Sequence, residues 1–346
     1  MRIALLVPAP FETLSGGYIY DRRMVEGLRA LGHAVEVVEL AGRHPLPDAA
    51  AEVAARAALA ALPEDVRPVI DGLGLPAFAE FAESLAARRA IGLIHHPTAL
   101  EHGAPQEDRD ALRGIERDLF PRLARILATS PHTAQRLAAE FEVPAARIGV
   151  VEPGTDPAPR SPGSGGPGTA ILSVGTLVPR KGHDVLMRAL AGLLDLDWRL
   201  TIAGGNDRDR VHAEGLQALA ETLGLTRRVT FAGEVDVEAL EALYRGADIF
   251  ALATWWEGYG MAAAEALARG LPVAITAGGA IADLVPIEAG AVSPPGDVVS
   301  LTKALRRMLA DTEMRQEMAE AAWRAGQRLP RWSDRAAAFA AELERA

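Results

Sequence analysis

Two short segments of this 346-residue chain bring cations, carboxylates and glycines together in an order suited to a phosphorylated ligand. Arg180-Lys181-Gly182 follows the apolar run 170–175 through Thr176-Leu177-Val178-Pro179. The chain uses arginine almost throughout, and Lys303 is the only other lysine, so Lys181 stands out. Its compact ammonium suits a phosphate oxygen as a point charge. The second segment, Glu257-Gly258-Tyr259-Gly260, precedes a helical pattern from Met261 to Arg269. Glu265 follows Glu257 by eight residues, so one carboxylate precedes the helix and the other lies two turns into it. Both can face one ligand lying across the helix N-terminus, where glycine amides are free for an anion. The neighbours of Glu265 are Ala262, Ala263, Ala264, Ala266 and Leu267, so its carboxylate is expected to have a partner.

The first half offers a weaker set. Gly16-Gly17 sits where the first apolar run gives way to a helical pattern, which is either a tight turn or an anion site at the helix N-terminus. The spacing is not G-x-G-x-x-G, which argues against a dinucleotide-dependent dehydrogenase. His95-His96 ends the apolar run Ile91-Gly92-Leu93-Ile94. Neighbouring strand residues point to opposite faces, so the two are not a metal pair, and which of them faces a ligand stays open. Asp207-Arg208-Asp209-Arg210 alternates in charge ahead of a helix and reads as a solvated loop. No carboxylate pair or His cluster shows metal-ligand spacing at a strand end, so no metal and no cofactor is expected.

These groups are placed by short apolar runs alternating with helical stretches, the pattern of parallel sheets with helical crossovers. Strands are expected at 2–7, 34–39, 67–71, 91–95, 126–129 and 148–151, with helices at about 18–31, 49–61 and 77–89. The first helix ends at Gly32, a left-handed cap. A second series has strands at 170–175, 198–203, 228–231, 248–251, 272–275 and 290–292. Its helices are expected at about 182–193, 209–223, 236–245, 261–269, 280–285 and 299–309. The Pro/Gly-rich stretch 157–168 between the series holds neither helix nor strand and reads as a linker. The expected organisation is α/β: a Rossmann-like domain over 1–156, the linker 157–168, a second Rossmann-like domain over 169–326, and a terminal segment 327–346. The last contains a helix capped by Ser333 that packs back on the first domain. Both domains are doubly wound parallel sheets, expected to face one another across a cleft. Ligands of such sheets lie beyond the carboxyl ends of the strands, where the named residues stand.

Composition narrows the function. The net charge of -10 disfavours nucleic acid as the partner. The absence of cysteine removes disulfides, thiolate metal sites and a cysteine nucleophile, and agrees with a cytoplasmic protein. No apolar stretch is long enough to span a membrane, which leaves peripheral membrane contact open.

In order and spacing, Ser173 through Gly182, Leu200 through Gly205, Val229 through Gly233, Glu257 through Met261, Glu265 through Val273 and Pro295-Gly296-Asp297 resemble the retaining nucleotide-sugar glycosyltransferases of family four, the glycosyl transferases group 1 set. Thr176 stands where many members carry Arg. The resemblance implies the GT-B fold and transfer of a hexose from a nucleoside-diphosphate sugar to an acceptor hydroxyl on a glycan, lipid or small molecule. It also implies roles: Lys181 and Arg180 on the donor pyrophosphate, Glu257 on the transferred sugar, and Glu265 on the ribose hydroxyls. Gly16 and Gly17 would close over the phosphates, and His95 or His96 would touch the sugar. Thr176, Gly258, Tyr259, Gly260 and Met261 would complete the donor site. The implied chemistry is metal-free and front-face: the leaving phosphate accepts the acceptor's proton, and nearby cations stabilise the departing charge. A nucleotide-sugar epimerase on the same scaffold and a sugar-nucleotide-binding protein without turnover are the alternatives.

Overall fold

The computed structural model describes residues 1–346 and divides into two units, Met1–Gly154 with Pro330–Ala346, and Thr155–Leu329. No helix is long and apolar enough to cross a membrane.

In the first unit the chain runs β1 (Arg2–Pro8), α1 (Gly16–Ala30), β2 (Ala34–Leu40), α2 (Ala49–Ala61), β3 (Val66–Asp71), α3 (Ala82–Ala87), β4 (Ile91–Ile94), α4 (Gln106–Leu119), β5 (Arg125–Ala128), α5 (Pro131–Phe141) and β6 (Ile148–Val150). The six strands are parallel, in the order β2-β1-β3-β4-β5-β6. Strand periodicity supplies both faces: Ala4 and Leu6 join one core layer with Ile70 and Phe78, while Ile3 and Leu5 join the other with Met24, Leu28 and Phe339. A fully buried Leu or Phe contributes about 1.5–3 kcal/mol through its burial. The helix Trp332–Glu344 belongs to this unit, and Ala336 lies so close to Gly27 of α1 that a Cβ there would meet it at 2.3 Å. Ser333 lies inside this helix rather than capping it, since the helix opens after Arg331, whose N–H donates to Asp334.

The second unit runs β7 (Thr169–Val174), α6 (His183–Ala191), β8 (Trp198–Ala203), α7 (Arg210–Thr222), β9 (Val229–Gly233), α8 (Val237–Arg245), β10 (Ile249–Leu252), α9 (Met261–Ala268), β11 (Val273–Thr276), α10 (Ile281–Leu284), β12 (Gly290–Ser293), α11 (Val298–Ala310) and α12 (Thr312–Gly326). The strand order is β12-β11-β10-β7-β8-β9. Alternation again feeds two cores, Ile249 and Ala251 to one face and Phe250 and Leu252 to the other. Asp209, Asp236, Asp297 and Asp311 cap α7, α8, α11 and α12, each accepting a backbone N–H three residues on. Asp209, expected in a solvated loop, thus has a structural task.

The segment 157–168 lies within the second unit and is tied down there. Ser161 donates its backbone N–H to Arg269 O at 2.9 Å and its hydroxyl to Arg245 O at 2.8 Å. Asp248 accepts from Ser164 N at 3.0 Å and from Ala170 N at 2.8 Å. The single helix expected over 77–89 is a 3-10 turn, Leu75–Phe81, followed by α3, with Pro76 in the first turn of the former.

Candidate active site

Each sheet reverses its direction of winding at one point. In the second unit β8 and β9 lie on one side of β7, and β10, β11 and β12 on the other, so the crevice opens past the ends of β7 and β10. The two segments singled out in the sequence leave from those strand ends. After β7, Leu177 N bonds Gly205 O at 2.9 Å, and the chain makes a short 3-10 turn over Pro179–Lys181. Gly182 closes the turn at φ 62°, and a Cβ there would stand 1.9 Å from Ala253 O, so only glycine fits. After β10, Glu257 is held by its backbone, its N–H donating to Gly278 O at 2.8 Å and its carbonyl accepting from Ala280 N at 3.0 Å. Gly260 then opens α9 at φ 106°.

The side chains converge. Lys181 Nζ donates to Glu257 Oε1 at 2.6 Å, Arg180 Nη1 lies 3.5 Å from the same oxygen, and Thr254 Oγ1 lies 3.3 Å from it. Arg180 also donates to Trp256 O at 2.7 Å. The Lys181 and Glu257 side chains are only 16% and 10% exposed. Burial pushes the Glu257 carboxyl up, but Lys181 and Arg180 outweigh it and leave the group below its ordinary range, hence ionised. Beside this pair His183 is wholly buried, its Nε2 3.2 Å from Gly175 O, and burial drives its pKa down to about 4. A neutral imidazole there donates to the Gly175 carbonyl and shapes the start of the loop. Glu265 has the expected partner, Tyr244, whose hydroxyl donates to Oε2 at 2.9 Å. The guanidinium of Arg269 stacks on the Tyr244 ring, 4.5 Å from its centroid. Tyr259 is buried, and Thr176, Gly258 and Met261 are partly exposed around these groups.

In the first unit the winding reverses at β1, between β2 and β3. Gly16 and Gly17 follow β1 as the first residues of α1, rather than as a loop before it, where amides have no intrahelical acceptor. The two histidines part company. His96 lies 4.0 Å from Glu101. His95 stands beside Gly17, where a Cβ would come within 3.2 Å of its ring. Its Nε2 is 2.9 Å from Asp21 Oδ1 and 3.5 Å from Asp71 Oδ2. Burial opposes charge on this ring, but Asp21 and Asp71 more than offset it, so its pKa ends above the usual histidine value. Burial, together with the charge of Asp21, pushes Asp71 up to about 7.

Asp21, Asp71 and His95 thus place two carboxylate oxygens and a ring nitrogen within 4.8 Å of one another. The sequence spacing at strand ends does not show this grouping. Its members come from a helix and two strand ends, so no spacing reveals it. One signal existed: Tyr18, Asp21, Val25 and Leu28 share one helix face and all are buried, so Asp21 interrupts an apolar stripe. As arranged, Nε2 is engaged by Asp21 at hydrogen-bond distance, with Asp71 3.5 Å away.

Residues 156–324 match the family model described as glycosyl transferases group 1, and residues 72–159 match that of glycosyltransferase family 4. A D-inositol 3-phosphate glycosyltransferase from Mycobacterium sp. (strain KMS) is 32% identical over 212 residues, covering 56% of this chain and 48% of the relative. Another of that name, from Corynebacterium glutamicum (strain R), is 31% identical over 255 residues, covering 66% and 61%. The chain spans about half the length of the mycobacterial relatives it matches. Among solved structures, sucrose-phosphate synthase from Thermosynechococcus elongatus superposes with a TM-score of 0.82 at 20% identity, covering 99% of this chain and 98% of the other. HepE of Anabaena in complex with UDP-glucose superposes with a TM-score of 0.76 at 16% identity, covering 99% of each chain. The fold is therefore GT-B, and through the two family matches the chain belongs to the group 1 glycosyltransferases of glycosyltransferase family 4.

Proposed function

We propose that the protein is a retaining hexosyltransferase that takes a nucleoside-diphosphate sugar as donor and passes its sugar to an acceptor hydroxyl without a metal ion. The observation that carries this reading is the meeting of Lys181, Arg180 and Glu257 at the winding reversal of the second unit. Two cations stand where an anion would neutralise them, and a carboxylate stands where sugar hydroxyls would donate to it. Glu265 lies about one turn into α9, within reach of a ribose in the same ligand. HepE, a structural neighbour, is described in complex with UDP-glucose, which supports a nucleotide sugar as the donor class.

In the reaction the bond from the anomeric carbon to the leaving phosphate oxygen breaks, and the acceptor oxygen bonds that carbon on the same face. The acceptor's proton passes to the leaving phosphate. Lys181 and Arg180 stabilise the charge gathering on that diphosphate, and Glu257 holds the sugar while its ring carries oxocarbenium character. Within the first unit, His95 at the end of β4 is the group available to a substrate hydroxyl. The cysteine-free composition supports a cytoplasmic setting.

The test is incubation with UDP-, GDP- and ADP-sugars and a panel of hydroxyl acceptors, inositol phosphates included, in excess chelator, with the product's anomeric configuration read by NMR. Transfer with retention in chelator is the expected result. A changed nucleotide sugar with no acceptor product would mark an epimerase, and binding without product a non-catalytic protein. Activity lost in chelator and restored by magnesium or manganese would refute metal independence.

A further inference from the structure

His95 is fenced more closely than a sugar contact alone requires. Asp21 and Asp71 are 1% and 2% exposed, and both carboxylates face the same ring nitrogen. Asp71 is anchored in turn, Oδ1 accepting from Leu73 N at 2.9 Å. Tyr20 meets the imidazole edge-on at a centroid distance of 5.2 Å, its own hydroxyl spent on Val151 O at 2.9 Å. Thr129 Oγ1 lies 3.3 Å from the His95 carbonyl. Gly17 closes the Cδ2 side. The charged groups around the ring are therefore Asp21 of α1 and Asp71 of β3, with Arg335 of the C-terminal helix acting on Tyr20.

The Asp21 carboxylate, 2.9 Å from Nε2, accepts from it only if that nitrogen carries a proton, which fixes the tautomer, and Asp71 lies 3.5 Å from the same nitrogen. Nδ1 is then the ring atom left over, and the side chain is 23% exposed. We propose that Asp21 and Asp71 are positioning residues for His95, holding the proton on Nε2 and the ring in place, so that Nδ1 is the atom left for a substrate hydroxyl. This rests on the glycosyltransferase reading for the identity of the ligand, but not for the state of the ring. Raised proton affinity of the ring accompanies the arrangement, since two neighbouring carboxylates favour the cation over the neutral form.

The experiment is histidine-selective 15N NMR on the full chain, with the His95 signals assigned from His95→Gln, applied to the parent, Asp21→Asn and Asp71→Asn. Steady-state kinetics accompany it, and circular dichroism checks that each variant folds. Expected are a ring protonated at Nε2 in the parent and a proton affinity about tenfold or more lower in each Asn variant. Tautomer is retained in Asp21→Asn, whose amide oxygen still accepts. With the ring less firmly held, kcat falls about a hundredfold while the donor KM changes little. Nitrogen signals unchanged in both folded variants would overturn the proposal, as would shifted signals with unchanged kcat. Signals as expected in a parent that transfers no sugar would leave the positioning intact and refute the glycosyltransferase reading instead.

Discussion

Replacing Glu257 by Gln separates two tasks that one carboxylate performs. Glu257 Oε1 lies 2.6 Å from Lys181 Nζ and 3.5 Å from Arg180 Nη1, in a site where its side chain is 10% exposed. A diphosphate recruited by these cations must share them with Glu257 and feel its negative charge. At about 5 Å and an effective dielectric near 20, that repulsion is about 3 kcal/mol per unit charge. Removing it is partly offset because Lys181 loses the partner that holds it in place. Nucleoside diphosphate should therefore bind Glu257→Gln more tightly, by about 3- to 10-fold, or roughly 0.6–1.4 kcal/mol. Turnover should move the other way, because a charge-assisted hydrogen bond of about 1.5–3 kcal/mol to the sugar is lost, which is about 10- to 150-fold in kcat. The ligand-free variant should also lose about 1–3 kcal/mol of stability, less than the roughly 3–5 kcal/mol for breaking a wholly buried pair. Calorimetry with the nucleoside diphosphate, steady-state rates and urea unfolding read the three quantities. Tenfold weaker diphosphate binding, or unchanged turnover, would refute the competition argument.

Further outcomes follow from other parts of the site. Glu265→Gln should weaken diphosphate and donor sugar alike by about tenfold, since a carboxylate that accepts from ribose acts in ground and transition states; calorimetry on both ligands checks this. A Cβ at Gly16 meets nothing within 4 Å, whereas one at Gly17 comes within 3.2 Å of His95. Gly16→Ala should therefore keep the parent's melting temperature and Gly17→Ala lower it, as thermal unfolding will show, so any loss of diphosphate affinity in Gly16→Ala reports the ligand contact itself. His183 has its pKa depressed to about 4, so the unfolded chain takes up its proton first as pH falls below about 6.5. Stability is thus full above that value and lost toward pH 4: about 2 kcal/mol should disappear between pH 7.5 and 5, and His183→Gln should remove that part of the slope in urea titrations.

Much of the architecture was legible because buried parallel strands are short apolar runs closed by glycine, proline or charge. Ile91–Ile94 and Trp198–Ala203 are examples, and observed strand ends fall within about two residues of those expected. Less visible were α4, whose sequence is mostly charged, and α5 and α12, whose apolar faces are narrow. The loops carrying Lys181 and Glu257 could be found because glycine and charge stand where a ligand would lie. Their pairing could not, because it depends on β7 and β10 being neighbours although 76 residues separate the partners. The same holds for Tyr244 with Glu265 and for Asp21 and Asp71 with His95. A carboxylate's own segment tells that it needs a partner, and only the strand order tells which.

The central claim is that the winding reversal of the second unit, through Lys181, receives the diphosphate of a nucleotide sugar. It is tested most directly by calorimetric titration of UDP, GDP and ADP into the parent and into Lys181→Met. At least one diphosphate should bind the parent, and Lys181→Met should bind it about 10- to 100-fold more weakly, the loss of one charge-assisted hydrogen bond to phosphate. Equal affinity in parent and variant, or no diphosphate binding the parent at all, would contradict the account.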